Sequence, residues 1–255
     1  GIQIETEYDD EIGELAQTIN EMSVKINQNE KMQTEFISSV SHELRTPLTA
    51  IKGWTETLQD ESVDPELTAQ GLTIIGKEAQ RLTGIVEDLL DFSRMECGRI
   101  VLRPAQLDLQ AELQEAVFLM QDKAARQGVL VEYVERQPLP WVRGDGARIK
   151  QVFVNLLDNA VKFCPQQGTL GLRLRIGSSK LYLSISNTGS TIPPEELPLV
   201  FDRFHKLDKS RSQNRDGWGL GLYIVKTIVC SHGENISVSS KNGRTEFTFT
   251  MPLVN

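Results

Sequence analysis

The sequence predicts two domains: an antiparallel helical hairpin that pairs with a second copy into a four-helix bundle, then an α+β sandwich. Three observations carry this. Apolar residues from Ile12 to Phe92 recur at steps of three and four, the period of a helix; that pattern stops near Cys97 to Pro104; beyond it, helical segments alternate with runs of period two.

Ile12, Leu15, Ile19, Met22 and Ile26 form the narrow seam of a coiled coil, which needs a partner helix. The stripe resumes as Phe36, Val40, Leu44, Leu48, Ile51 and Leu58, all within roughly 80° of Val40 at about 100° per residue. His42 lies about 200° away on the same wheel, on the opposite face. After the acidic turn Asp60 to Asp64, Pro65 suits a first helical turn, and Leu72, Ile75, Leu82, Ile85, Leu89 and Phe92 make a second stripe. Two antiparallel helices bury little by themselves, so self-association into a four-helix homodimer covers both stripes.

Gly98 and Pro104 mark the boundary. Residues 108 to 127 read as helix, 129 to 134 and 139 to 143 as short strands, and 146 to 163 as a strong helix. TLGLRLRI and KLYLSISN alternate across the turn Gly177-Ser178-Ser179, a hairpin pattern. A helix near 219 to 231 and the strands NISVSS and RTEFTFTM complete the domain.

The 255 residues carry a net charge of -8, which gives no basic field for a phosphate backbone and excludes nucleic acid as a partner. Cys97, Cys164 and Cys230 show no C-x-x-C spacing and read as small side chains in a reducing compartment. No apolar run reaches the ~18 residues of a membrane span, and the chain starts at Gly1 within a helical pattern, so a longer parent protein is expected.

Chemistry concentrates at three places. In RIKQVFVNLLDNAVKF, one face is apolar while Asn155, Asn159 and Lys162 share another; two neutral amides and an ammonium can hold a metal ion and phosphate oxygens together without carboxylate repulsion. The same face reads equally as a solvated helix surface. Ser186-Asn187-Thr188-Gly189 ends a strand and opens a connection of nearly 30 residues, too long to be passive. Within it LDKSRSQNRDG has almost nothing apolar to anchor it after Leu207, and is expected to be mobile. It closes in Gly217-Trp218-Gly219-Leu220-Gly221-Leu222, where glycines let N–H groups approach a phosphate at a helix start. The third place is His42 in SHELRTPL.

Taken in order, SHELRTPL, NLLDNAVKF, FDRFHK and GWGLGL resemble the phosphoacceptor, asparagine, phenylalanine and second glycine boxes of the sensor histidine kinases of bacterial two-component systems. The resemblance spans essentially the whole chain, and DDEIGELAQTIN resembles the last helix of a HAMP relay. It implies residues 1–30 as relay end and coiled-coil linker, 31–98 as the dimerisation and phosphotransfer hairpin, 99–107 as linker, and 108–255 as an ATP-binding domain of the topoisomerase, chaperone and histidine-kinase type. It further implies that the chain is the cytoplasmic portion of a bacterial inner-membrane protein, touching the membrane only through segments outside this chain.

By the same resemblance His42 accepts the γ-phosphate of ATP on Nε2, Glu43 orients the imidazole as general base, and Thr46 places water when a response-regulator receiver domain is dephosphorylated. Pro47 removes a helical N–H and is expected to bend the helix. Asn159 and Asn155 are assigned to Mg2+, Lys162 to phosphate, Phe163 to the adenine face, and Asn187 with Gly189 to the base pocket. Arg203, Lys206 and Arg211 are assigned to the transferred phosphoryl group, and Gly217, Gly219, Gly221 and Leu222 to the phosphate-facing turn. His205 and His232 match no catalytic position. One departure stands out: Asn187-Thr188-Gly189-Ser190-Thr191 occupies the place of D-x-G-x-G. The lost carboxylate weakens adenine binding, although an amide can still pair with adenine through both its ends. Two readings therefore stand: an active ATP-dependent histidine kinase, or a signalling scaffold, non-catalytic or biased to phosphatase action, with a degenerate nucleotide pocket.

Overall fold

The computed structural model describes residues 4, 11–59, 63–96, 101–133, 139–206 and 219–254. The chain divides into two compact units, Gly1–Glu87 and Asp88–Asn255.

The first unit holds helix α1 (Glu11–Thr57) and most of helix α2 (Pro65–Glu96). Glu11 and Glu14 place negative charge on the first turn of α1, where the helix dipole favours it. The helix runs unbroken through the buried Pro47. Asp64 starts α2 by accepting from the Glu66 N–H at 3.2 Å, and Pro65 takes the first position, where a missing N–H costs nothing. Near the connection the Trp54 ring and Leu58 of α1 lie against Gly71 of α2. Ahead of α1, Ile4 exchanges two hydrogen bonds with the Asn20 amide, at 2.8 and 2.9 Å.

The second unit is a two-layer sandwich. Its elements are strand β1 (Ala105–Leu107), helix α3 (Leu109–Arg126), strands β2 (Leu130–Tyr133) and β3 (Val142–Gly144), helix α4 (Gly146–Phe163), strands β4 (Thr169–Ile176) and β5 (Lys180–Thr188), helix α5 (Gly221–Ser231), and strands β6 (Ile236–Lys241) and β7 (Arg244–Pro252). A five-stranded sheet runs β2-β4-β5-β7-β6, parallel only between β2 and β4. Alternation decides its faces: Leu170, Leu172, Leu181, Leu183, Ile185, Phe247, Phe249 and Met251 are buried while their neighbours are more exposed. Helix α4 answers with Ile149, Val152, Phe153, Leu156, Leu157, Ala160 and Val161, and Phe153 meets Phe249 at 5.8 Å between ring centres.

Two expectations shift. The strand read at 139 to 143 is shorter and shifted to Val142–Gly144, because Pro140 has no N–H to donate and the Trp141 carbonyl instead takes the Val254 N–H at 2.9 Å. Its partner β1 lies inside the stretch read as linker, paired Ala105 to Gly144 and Leu107 to Val142. Three residues are too few to show alternation. The acidic turn at Asp60, the boundary residues Cys97 and Gly98, and LDKSRSQNRDG with Gly217 and Arg211 lie outside the described residues.

Candidate functional site

On α1 the His42 side chain is exposed and Glu43 is half-buried. Thr46 donates its hydroxyl to the His42 carbonyl at 3.2 Å, one turn back. Ser41 and Thr49 satisfy Ile37 and Arg45 carbonyls in the same manner, so the hydroxyl-rich face closes locally and leaves the imidazole turned to solvent.

In the second unit α4 begins at Asp145, whose carboxylate accepts the N–H groups of Arg103 at 2.9 Å and Arg148 at 3.2 Å. Burial opposes its ionisation, but these N–H groups and the charge of Arg148 outweigh burial and hold the carboxyl below the usual aspartate range. The Asp145 N–H in turn donates to His232 Nε2 at 3.0 Å, while His232 Nδ1 sits 2.8 Å from the Ile228 carbonyl. Only the neutral tautomer protonated on Nδ1 satisfies both, which gives His232 a structural task at the start of α4.

Along α4, Asn155, Asn159 and Lys162 share one half-buried face. The Asn155 Nδ2 is buried with no hydrogen-bond partner, and its side chain sits beside Gly221, the first residue of α5. A buried amide N–H₂ left unpaired costs about 1–3 kcal/mol, so this donor is poised for an acceptor that arrives with a ligand. Phe163, 41% exposed, presents its ring at the end of the same helix with the Lys162 ammonium 5.7 Å from its centre.

Asn187 closes β5 and is only 6% exposed. Its Nδ2 donates to the Thr188 carbonyl at 3.0 Å, which fixes the amide and leaves Oδ1 at the opposite end as an acceptor. Gly189, at φ +149°, is needed for contact: a Cβ there would lie 2.6 Å from the Phe163 carbonyl oxygen. The backbone after β5 is thus pressed onto the end of α4, bringing Asn187 and Phe163 to one place. Thr191 has its own task, since its hydroxyl accepts the Gly243 N–H at 3.0 Å while Gly189 donates to the Gly243 carbonyl at 2.8 Å. These bonds stitch the loop to the β6–β7 turn.

Arg203 and Lys206 are half-buried on the segment after Phe201. Gly219, at φ +72°, packs against the Phe204–His205 backbone, where a Cβ would come within 2.7 Å of the His205 carbonyl oxygen, and it accepts the Phe204 N–H at 3.1 Å. Leu220 is buried and anchors the entry to α5; Gly221 is exposed and Leu222 half-buried. His205 Nε2 lies 2.8 Å from Glu196 Oε2 in an orientation that makes no hydrogen bond, although both atoms are buried. The structure thus brings Asn155 beside Gly221, and Asn187 and Gly189 beside Phe163, while Arg211 and Gly217 lie outside the described residues.

Sequence reading missed Asp145 and His232 as the seat of α4, and also Asp91. The Asp91 carboxylate takes Arg148 Nη1 at 3.1 and 3.2 Å and Gln151 Nε2 at 2.7 Å. No spacing signals a bond across some 57 residues.

Comparison with known proteins finds two family matches along the chain. Residues 32–98 match the His Kinase A phospho-acceptor domain, and residues 144–255 match the family described as histidine kinase-, DNA gyrase B- and HSP90-like ATPase. The sensor histidine kinase YclK of Bacillus subtilis is 34% identical over 99% of this chain and 55% of its own length. The chain spans about half or less of the length of the curated relatives it matches. Among solved structures, histidine kinase ThkA in complex with response regulator protein TrrA aligns with a TM-score of 0.66 and 26% identity, over 92% of this chain and 66% of that one. Full-length ShkA in complex with AMPPNP aligns at 0.65 and 27%, over 87% and 46%. An exposed histidine on a phospho-acceptor hairpin, followed by a sandwich whose polar helix face, aromatic ring and glycine turn converge, agrees with these matches throughout: the chain belongs to the sensor histidine kinases of two-component systems.

Proposed function

We propose that this chain is the catalytic core of a sensor kinase that phosphorylates His42 with ATP and passes the phosphoryl group to an aspartate of a response-regulator receiver domain. The carrying observation is the buried, unpaired Asn155 Nδ2 beside Gly221, on the helix face shared with Asn159 and Lys162. That donor suits a phosphate oxygen. An amide nitrogen cannot ligate a metal, so Mg2+ is left to the amide oxygens of Asn159 and Asn155. When bound, Mg2+ neutralises charge on the triphosphate.

Phe163 stacks on adenine while Asn187 Oδ1 accepts from its amino group. Lys162, Arg203, Lys206 and Arg211 neutralise the phosphates, and the backbone from Gly217 to Leu222, with Gly219 and Gly221, faces them. His42 Nε2 forms the bond to the γ-phosphorus as the bridging oxygen bond to ADP breaks, and the Nδ1 proton passes to Glu43. Thr46 positions the water that hydrolyses the aspartyl phosphate of the receiver domain, releasing inorganic phosphate, in the separate phosphatase reaction.

The fold supports a homodimer: Ile12, Leu15, Met22 and Ile26 are each more than half exposed in one chain, along a seam spaced for a partner helix. We assign residues 1–30 to relay and coiled coil, 31–98 to the phosphotransfer hairpin, 99–107 to the linker and 108–255 to the ATP-binding domain. No helix among the described residues is long and apolar enough to cross a membrane. From the likeness to sensor kinases we place the chain on the cytoplasmic side of a membrane-anchored sensor.

Incubation with Mg2+ and γ-labelled ATP tests this. Acid-labile, alkali-stable label that disappears in His42→Gln is expected; label that survives the substitution overturns the assignment.

A further inference from the structure

We propose that the outer face of the five-stranded sheet, turned away from the helices and used by no step above, docks an extended acidic segment of a partner protein on a row of three guanidiniums. The row is Arg244, Arg173 and Arg175.

Register sets the row. Leu170 and Leu172 point into the core, so Gly171, Arg173 and Arg175 share the opposite face of β4 at two-residue steps, about 6.8 Å apart. Gly171 has no side chain of its own, and Arg244 fills the place. Reaching across β5 from β7, its Nη2 donates to Ser186 Oγ at 2.7 Å and would stand 3.1 Å from a Cβ on Gly171. Ser186 is 2% exposed and donates onward to the Gly171 carbonyl at 3.2 Å, so a buried hydroxyl fixes where that guanidinium lies. Arg175 is held as well, 4.4 Å over the ring of its cross-strand neighbour Tyr182. Stacking uses the flat of a guanidinium and leaves the N–H groups at its edge available. Arg173 stands exposed between them, opposite Ser184.

Among the described residues none of the three is ion-paired, whereas Lys180 on the same face is taken by Glu234 at 2.7 Å. The row is therefore three cations without a counter-ion on a chain whose net charge is -8.

Charge and spacing together identify the partner. Carboxylates on alternate residues of an extended chain repeat at about 6.8 Å, the pitch of the row, and each pairs with a guanidinium through two parallel N–H bonds. Beside the row stand hydroxyls: Ser184, Thr248 and Ser237 lie side by side across β5, β7 and β6. Other charges on this face are Lys241 next to Arg244, and Glu132 and Glu246 level with Gly171. A bilayer of anionic lipid is served by positive charge spread over an area, and two carboxylates in the plane oppose it. A single row suits a linear ligand.

The test measures fluorescence anisotropy of a dye-labelled peptide of alternating glutamate and threonine, mixed with the full chain at low ionic strength, beside an isomer with the same glutamates contiguous. The parent is expected to bind the alternating peptide about threefold or more tighter than the isomer. An exposed ion pair is worth up to about fivefold in affinity, and reversal adds repulsion, so Arg173→Glu is expected to weaken binding by about tenfold. Gly171→Ala removes no charge, yet its methyl displaces the Arg244 guanidinium, and a loss of about threefold is expected. Should Gly171→Ala fail to fold, Arg244→Lys, which keeps the charge and loses the fork, carries the same comparison. A parent that binds neither peptide, equal binding of the two isomers, or Arg173→Glu with the parent's affinity each overturns the proposal. So does a parent that binds phosphatidylglycerol vesicles more tightly than the alternating peptide, which makes the face a membrane surface. A change of oligomeric state in Arg173→Glu, read by sedimentation, also overturns it, because the face then meets a second copy of this chain.

Discussion

Asn187→Asp separates two effects that the sequence alone presents as one. In the structure Asn187 is 6% exposed and its Nδ2 gives a hydrogen bond to the Thr188 carbonyl at 3.0 Å. Aspartate would set a carboxylate oxygen against that carbonyl with nothing to donate. Loss of the bond and a buried acceptor facing an acceptor cost about 1–3 kcal/mol, and the cost is present with or without nucleotide, so it falls on folding. The gain falls on binding. A hydrogen bond from the adenine amino group is worth about 1 kcal/mol to an amide and about 1.5–3 kcal/mol to a carboxylate, so ATP binds roughly twofold to thirtyfold tighter.

Inosine triphosphate, which carries an oxygen where adenine has its amine, gains nothing from the carboxylate. The expected pattern in Asn187→Asp is lower stability in urea unfolding, tighter ATP binding by calorimetry, and a larger preference for ATP over inosine triphosphate. A variant that keeps the parent's stability and binds both nucleotides as the parent does would refute the assignment of Asn187 to the base, together with the role given to the Thr188 carbonyl.

Gly189→Ala is expected to destabilise the second unit by about 2–4 kcal/mol, read as a lowered unfolding midpoint, because the new Cβ meets the Phe163 carbonyl at 2.6 Å and neither backbone can yield. Asp145 predicts a pH dependence. Its folded pKa is depressed, so its contribution is complete above the ordinary value of about 3.8 and is lost as pH falls through the lower folded value; Asp145→Asn should flatten acid unfolding in that window while destabilising the chain at neutral pH.

Periodicity made α4 legible to its ends, since seven buried residues in eighteen positions leave one helical reading. The amide face came with it, because Asn155, Asn159 and Lys162 are what remains once the apolar face is assigned. The same logic explains what stayed hidden. Period reports which side of an element meets the core, whereas Asp91 with Arg148, Asp145 with His232, and Thr191 with Gly243 are single polar bonds between elements 57, 87 and 52 residues apart. Nothing in a local window marks them. Strand β1 was hidden for a different reason: its three residues pair with β3 through the backbone, and such pairing leaves little imprint on side-chain choice.

Thr191 shows how the structure changes the weight of a departure. Read along the chain, threonine in a glycine's place stiffens a loop and speaks for a degraded pocket. In the fold its hydroxyl takes the Gly243 N–H, Gly189 donates to the Gly243 carbonyl, and Ile192 donates to Ser240 at 2.9 Å. Three bonds across four residues hold the loop after β5 to β6 and the β6–β7 turn. A loop held by such bonds needs no glycine freedom at position 191, and as the proposed base pocket it would lose less entropy on ordering around a ligand. Of the two departures only Asn187 touches the recognition proposed above, in which its amide would accept a weaker hydrogen bond than a carboxylate rather than none. On the proposed reading the pocket is tuned in affinity, and an active kinase accounts for His42, Asn155 and Asn159 without a second hypothesis.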